Sequence, residues 1–151
     1  MKKTLVSACL LGIDCKYSGE NNKNEELLEF LKGKDIIPIC PEQLGGLKTP
    51  RQMAELKSTA KDIVENEGIV ITKDNVDVTK EFLKGGYEIL KYLKLFDIEK
   101  AILKEGSPSC GSNFVYDGSF SSKKIKGQGI TAYLLQKEGV KLFSENNFME
   151  A

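Results

Sequence analysis

Three short apolar runs in this chain lead into a cysteine set among turn formers, and that pattern limits the folds open to it. Leu5-Val6-Ser7-Ala8 runs into Cys9 and Ile36-Ile37-Pro38-Ile39 into Cys40, while Lys100-Ala101-Ile102-Leu103 precedes the loop Glu105-Gly106-Ser107-Pro108-Ser109-Cys110-Gly111-Ser112. Apolar runs of this length, bounded by Gly, Pro or Ser, suit strands buried on both faces, as in a parallel sheet. Ligands of an open α/β sheet bind outside the carboxyl ends of its strands. Each thiol is therefore expected beside a ligand site. Gly106 and Gly111 let a backbone approach a ligand closely, Pro108 stiffens the path, and Ser107 and Ser109 supply hydroxyls.

The remaining chain supplies the helices such a sheet needs. A first strand over 4–8 is followed by a loop through Cys15 and Tyr17 to Gly19, then by an amphipathic helix over 24–32 with Leu27, Leu28 and Leu31 on one face and Gly33 closing it. The second strand covers 35–40, and Pro38 argues against a central, fully bonded position for it. The segment 41–51, with its prolines and adjacent Gly45 and Gly46, is expected to be irregular rather than helical. A strand over 68–72, a turn and a return strand over 76–78 come next. Thr79 is expected to cap a helix over 80–95, in which Gly85 and Gly86 permit close packing. Asp117-Gly118 marks a small hairpin over 114–120. A helix over 130–137 and a strand over 140–143 end the series. Alternation of this kind predicts a single three-layer, Rossmann-like α/β domain over 1–151 with a mainly parallel sheet.

Charge and composition exclude several functions. The 22 basic and 22 acidic side chains cancel, which argues against an extended nucleic-acid surface. No apolar run approaches the roughly 20 residues of a membrane span, and no signal-like leader is visible, so the expected compartment is the cytoplasm. The chain has no histidine, which excludes Cys-His hydrolysis and histidine-bound zinc. Arg51 is the single arginine among 21 lysines, which suggests a place for a planar, fork-shaped donor facing a carboxylate or a nucleobase edge.

Four cysteines remain, at 9, 15, 40 and 110, without a Cys-x-x-Cys pair. A buried free cysteine packs like a small apolar residue, and that reading serves for any one of them. Three converging at strand ends are another matter, since thiolates repel and a metal centre offsets the repulsion. All-thiolate sites suit zinc or an iron–sulfur cluster. A closed zinc site would draw on Cys15 as fourth ligand, whereas three thiolates alone would leave one metal position open for chemistry.

The blocks Ser7-Ala8-Cys9-Leu10-Leu11-Gly12, Cys40-Pro41-Glu42, Thr49-Pro50-Arg51, Ser107-Pro108-Ser109-Cys110-Gly111 and Gly129-Ile130-Thr131-Ala132, in this order, resemble the YbbK-like bacterial family that includes the thiouracil desulfidases. The resemblance covers nearly the whole chain. It implies a [4Fe-4S] cluster held by Cys9, Cys40 and Cys110 and lost in air, with its fourth iron taking the sulfur of a small thiolated substrate such as thiouracil. It implies non-redox replacement of C=S by C=O with release of hydrosulfide. Glu42 would be the acid–base residue, Ser107 would assist it, and Cys15, Tyr17, Arg51 and Ser109 would border the pocket, Cys15 without being a ligand. A homodimer is compatible with all of this. Two segments depart from the family pattern: Lys16-Tyr17-Ser18-Gly19 stands where Arg-Tyr-Asp-Gly is common, and Gln52-Met53-Ala54-Glu55 lacks the usual proline. Two competing readings remain at this point, a zinc or purely structural thiol module and a persulfide carrier that uses Cys15.

Overall fold

Leu5 and Val6 are adjacent in the first strand and both are 0 % exposed, although successive strand side chains point to opposite faces. Their sheet is therefore covered on both sides. The computed structural model describes residues 2–151, in the order β1 (Lys3–Ser7), α1 (Glu25–Leu31), β2 (Ile36–Ile39), α2 (Pro41–Leu44), β3 (Ala54–Leu56), α3 (Ala60–Val64), β4 (Val70–Thr72), α4 (Thr79–Leu95), β5 (Ile98–Leu103), β6 (Phe114–Tyr116), β7 (Lys124–Lys126), α5 (Ile130–Lys137) and β8 (Lys141–Ser144). Leu5, Ala101 and Leu103 pack with Ile89 of α4 and Ala132 and Leu135 of α5. Val6 and Ile102, on the other face, pack with Leu27 and Leu31 of α1 and with Leu10 and Phe148. The result is the expected three layers of an α/β fold.

The central sheet has the order β2-β1-β5-β8, and each neighbouring pair is parallel, with Leu5 opposite both Ile37 and Ala101. The chain leaves β1 in one direction to form β2 and returns to β5 on the other side. That reversal makes the carboxyl end of β1 a topological switch point, where crevices form in such sheets. β2 is an edge strand, which is how it accommodates Pro38.

Local chemistry explains the element ends that matter for the site. Asn24 Oδ1 accepts from Leu27 N at 2.9 Å to cap α1, whose first turn carries Glu25 and Glu26. α5 has no side-chain cap; Ile130 N donates to Pro108 O at 2.9 Å and Thr131 N to Ser109 O at 2.9 Å. A Cβ on Gly129 would lie 2.5 Å from the Ser109 carbonyl carbon, so only glycine lets α5 meet the Cys110 loop this closely.

Several expectations are corrected. Segment 41–51 is not wholly irregular, because Pro41 starts the helical turn α2, a position where its missing N–H and fixed φ are harmless. β4 pairs antiparallel with β3, which the sequence reading did not identify, and the expected return strand over 76–78 is reduced to an isolated bridge between Ile71 and Asp77. α3 was also unexpected; Thr59 caps it through Asp62 N at 3.1 Å. Thr79 is not a cap but the first residue of α4, and its hydroxyl accepts from Val70 N at 2.8 Å and donates to Asp77 Oδ1 at 2.6 Å. The hairpin starts at Phe114 as expected but returns only at Lys124–Lys126, so Asp117-Gly118 opens a longer loop rather than a tight turn.

Candidate active site

The three cysteine-bearing strand ends meet. Cys9 follows β1, Cys40 follows β2, and the Cys110 loop follows β5, all at the carboxyl edge of the sheet on either side of the β1 switch point. Cys9, Cys40 and Cys110 border one cavity of about 410 Å³. Cys15, Tyr17, Glu42, Arg51, Ser107 and Ser109 line it too, so every site residue expected from the sequence stands on this cavity.

The Cys110 loop is fixed by a buried carboxylate. Glu105 is 3 % exposed, and its Oε1 accepts from the backbone N–H groups of Ser112 (2.9 Å), Asn113 (2.8 Å) and Phe114 (3.1 Å). Its Oε2 accepts from Ser112 Oγ at 3.2 Å and Asn113 Nδ2 at 2.9 Å. Burial pushes this carboxyl up, but the donors from Asn113, Phe114 and Ser112 outweigh it and hold it below the ordinary carboxylate value. Ser107 Oγ accepts from Ser109 N at 3.1 Å and Cys110 N at 3.0 Å, so the hydroxyl shapes its own turn as well as facing the cavity. Gly111 approaches backbone rather than a ligand; a Cβ there would be 2.5 Å from Phe114 O.

The opposite wall is built around α2. Cys40 is its N-cap residue and Glu42 lies in its first turn. α2 rests on α4 backbone against backbone: a Cβ on Gly85 would lie 1.9 Å from Pro41 O, and one on Gly45 2.0 Å from Glu81 O. Arg51 then spans the wall. Its Nε donates to Glu42 Oε1 at 3.0 Å, Nη1 to Thr49 Oγ1 at 2.9 Å, and Nη2 to the Cys15 carbonyl at 2.8 Å. Of the two partners expected for a fork-shaped donor, the structure shows the carboxylate, and it belongs to the protein. Glu42 Oε2 accepts from Ser109 Oγ at 2.9 Å, and Ser109 Oγ lies 3.0 Å from Ser107 Oγ. Since Ser109 gives its hydrogen to Glu42, Ser107 donates to Ser109. A relay of hydroxyls thus runs from the Cys110 loop to Glu42.

The thiols differ in their environments. Burial raises Cys110 to about 12 and also raises Cys9, whose sulfur accepts from Asn22 Nδ2 at 3.4 Å. Cys40 and Cys15 are a pair in which Cys40 releases its proton first. The Cys15 thiol and, against the pull of burial, the Gln43 backbone N–H at the start of α2 favour the Cys40 thiolate; that same neighbour, then burial, holds the proton on Cys15. Cys15 is 2 % exposed, which does not suit a persulfide carrier that must hand sulfur to a partner.

The donor set fits a cluster better than an ion. All four cysteines are free, and three of them ring the cavity from separate strand ends. Among the described residues no group of three or more Cys, Asp or Glu side chains closes on a single point as a zinc site requires. Three thiols from three strand ends, with no histidine in the chain, suit an iron–sulfur cluster, whose ligands are cysteine thiolates.

Sequence reasoning missed some of the lining. Asn22, Lys104, Tyr116 and Ser122 also border the cavity, whereas Glu55 belongs to the segment 52–55, which its departure from the family pattern marks as candidate lining. Lys104 Nζ pairs with Glu145 Oε2 at 2.8 Å, and its position just after β5 was a usable signal, masked by the abundance of lysine. Tyr116 and Ser122 arrive from the β6–β7 hairpin, which no motif connects to the strand ends.

Comparison with known proteins places this geometry in a family. The description 2-thiouracil desulfurase matches residues 4–147. The uncharacterized protein YbbK of Bacillus subtilis (strain 168) is 43 % identical over 143 residues, covering 94 % of this chain and 95 % of its own. A solved structure, that of the [4Fe-4S]-dependent thiouracil desulfidase TudS (DUF523Vcz), superposes with a TM-score of 0.87 at 38 % identity over 99 % of this chain and 95 % of that one. With the family description spanning nearly all of its length, and with its thiols gathered at one sheet edge, the chain belongs to the 2-thiouracil desulfurase family.

Proposed function

We propose that this protein is a [4Fe-4S]-dependent desulfidase that converts the C=S of thiouracil to C=O. Three cysteines from three strand ends bordering one cavity, with a hydrogen-bonded glutamate among them, is the observation that carries the reading. Cys9, Cys40 and Cys110 would hold the cluster. When bound, the cluster supplies an iron without a protein thiolate, a Lewis acid for the substrate sulfur.

The chain's own groups handle protons and orientation. Glu42 takes a proton from water as the water oxygen bonds to the thiocarbonyl carbon, and it gives that proton to the sulfur as the carbon–sulfur bond breaks and hydrosulfide leaves. The proton still on the oxygen passes to solvent as the C=O forms, so water and C=S give C=O, hydrosulfide and one proton. No electron is gained or lost. Arg51 on Oε1 and Ser109 on Oε2 fix the plane of the carboxylate, so no reorientation is needed between the two transfers. Ser107 holds Ser109 in its donating rotamer.

Four cysteines without a disulfide accord with a reducing, cytoplasmic setting. The test is anaerobic reconstitution with iron and sulfide, then incubation with 2-thiouracil while uracil and sulfide are measured. Equimolar uracil and sulfide are expected. A fully reconstituted protein that releases neither overturns the reading.

A further inference from the structure

Three carboxylates line the cavity, Glu42, Glu55 and Glu105, and their hydrogen bonding is unequal. Glu105 has both oxygens occupied by protein donors. Glu42 has Arg51 on one oxygen and Ser109 on the other. Glu55 is 4 % exposed, and its Oε1 accepts from Gly118 N at 2.9 Å and Phe120 N at 3.1 Å. Its Oε2 has no protein donor among the described residues. Nor is that oxygen sealed in the core, where Thr131 Oγ1 is the one enclosed side-chain oxygen without a partner among the described residues. Oε2 is thus the reachable oxygen of a side chain that borders the cavity.

An acceptor oxygen of a nearly buried side chain that no protein donor takes up, and that a cavity leaves within reach, is a place where a ligand's N–H can replace water. The two backbone donors on Oε1 fix the carboxylate and leave Oε2 at a set position. We infer that Glu55 is a specificity-determining residue whose Oε2 accepts the ring N–H adjacent to the thiocarbonyl carbon of a thiolated pyrimidine. The inference rests on the desulfidase reading for the identity of the substrate. Glu55 then selects thioamide-type rings that carry a hydrogen on that nitrogen, and it sets the in-plane angle at which the thiocarbonyl enters. A site built around such a bond discriminates strongly against a ring that lacks the hydrogen. Glu42, with both oxygens engaged, is left to proton transfer.

Binding of 2-thiouracil and of its 1-methyl, 3-methyl and 5-methyl derivatives is measured by stopped-flow mixing, within the time before the first turnover, on anaerobically reconstituted wild type and Glu55→Gln. Wild type is expected to bind the 5-methyl compound like the parent and at least one N-methyl compound about a hundredfold more weakly. Glu55→Gln, which faces the ring N–H with an amide, is expected to lose about tenfold or more for the parent and less than about twofold for that N-methyl compound. Equal losses for parent and N-methyl compounds, or none for either, overturn the assignment. Should Glu55→Gln fail to fold, wild type alone decides: indifference to N-methylation at both positions overturns it. Wild type that binds with this discrimination but releases no sulfide leaves Glu55 as the reader of the ring and sinks the desulfidase reading alone.

Discussion

Cys110 and Cys40 bring the same side chain to one cavity from supports of opposite kind. Cys110 sits in a loop locked by the five hydrogen bonds on Glu105 and by the start of α5, and burial raises its thiol to about 12. Cys40 begins a single helical turn, ionises before its neighbour Cys15, and stands beside the Glu42–Arg51 pair. One wall fixes position; the other supplies charge and, on the proposed mechanism, moves protons. Apolar packing and closed hydrogen bonds are cheap ways to fix a shape, but they offer nothing that titrates near neutrality. Under the proposed mechanism, separating the tasks would let the Cys110 wall stay rigid while the Cys40 wall exchanges protons.

The severest way to test this division removes a thiol. Cys9→Ala, Cys40→Ala and Cys110→Ala are each expected to drop iron from about four per chain to well below that and to abolish activity, as read by iron and sulfide analysis after anaerobic reconstitution. Cys15→Ala is expected to keep its iron. Full iron in Cys110→Ala would mean that the rigid wall is not part of the centre at all. Next in size, Glu42→Gln should retain iron and sulfide and lose about 10²- to 10⁴-fold in kcat, because the amide keeps the Ser109 and Arg51 neighbours but takes up no proton. Unchanged kcat would move proton transfer to another group.

Glu105→Gln sharpens the rigid half. An amide at this position places its NH₂ among donors that need an acceptor, which should cost about 2–4 kcal/mol in urea unfolding. The pH dependence has a definite sign. The folded carboxyl lies below its unfolded value, so its stabilisation is present above the unfolded pKa of about 4.3 and is lost as pH falls through the folded value. The gap between wild type and Glu105→Gln should therefore narrow below about pH 4.5. A gap that stays constant down to pH 3 would show that shape, not charge, is what Glu105 contributes.

Much of this arrangement was legible in the chain because it is local. The apolar runs before Cys9 and Cys40 and before the Cys110 loop fixed the strands, and their turn formers fixed where each strand stops. The fold class followed from alternation, and Pro38 correctly pointed to an edge. Pairings between distant segments were not legible. β3 is three residues long and owes its existence to β4, and Glu55 within it shows its role only when Gly118 and Phe120 come to rest on it. α2 escaped notice because a turn of four residues rich in Pro and Gly neighbours has no helical period to detect; it is held by contact with Gly85 of α4 instead. The Cys110 loop drew attention through its thiol and its glycines, yet the group that holds it is Glu105, an unremarked acid at its first position.

Arg51→Lys is the mildest substitution and the one that bears most closely on the division between the walls. Arg51 reaches Glu42, Thr49 and the Cys15 carbonyl from three different nitrogens, and a lysine ammonium at the end of a flexible stem cannot serve all three at once. Charge beside Glu42 would persist while its orientation loosens, so kcat should fall by about tenfold with iron content unchanged. Thermal unfolding of the iron-loaded protein should shift little, since the Glu105 bonds and the backbone bonds to α5 that hold the Cys110 loop do not involve Arg51. If iron falls instead, to the level seen in Cys40→Ala, then Arg51 holds Cys40 in place through α2 and Cys15, and the Cys40 wall is a scaffold as much as its opposite. A kcat loss at full iron keeps the two walls distinct, with Arg51 acting through the angle of one carboxylate.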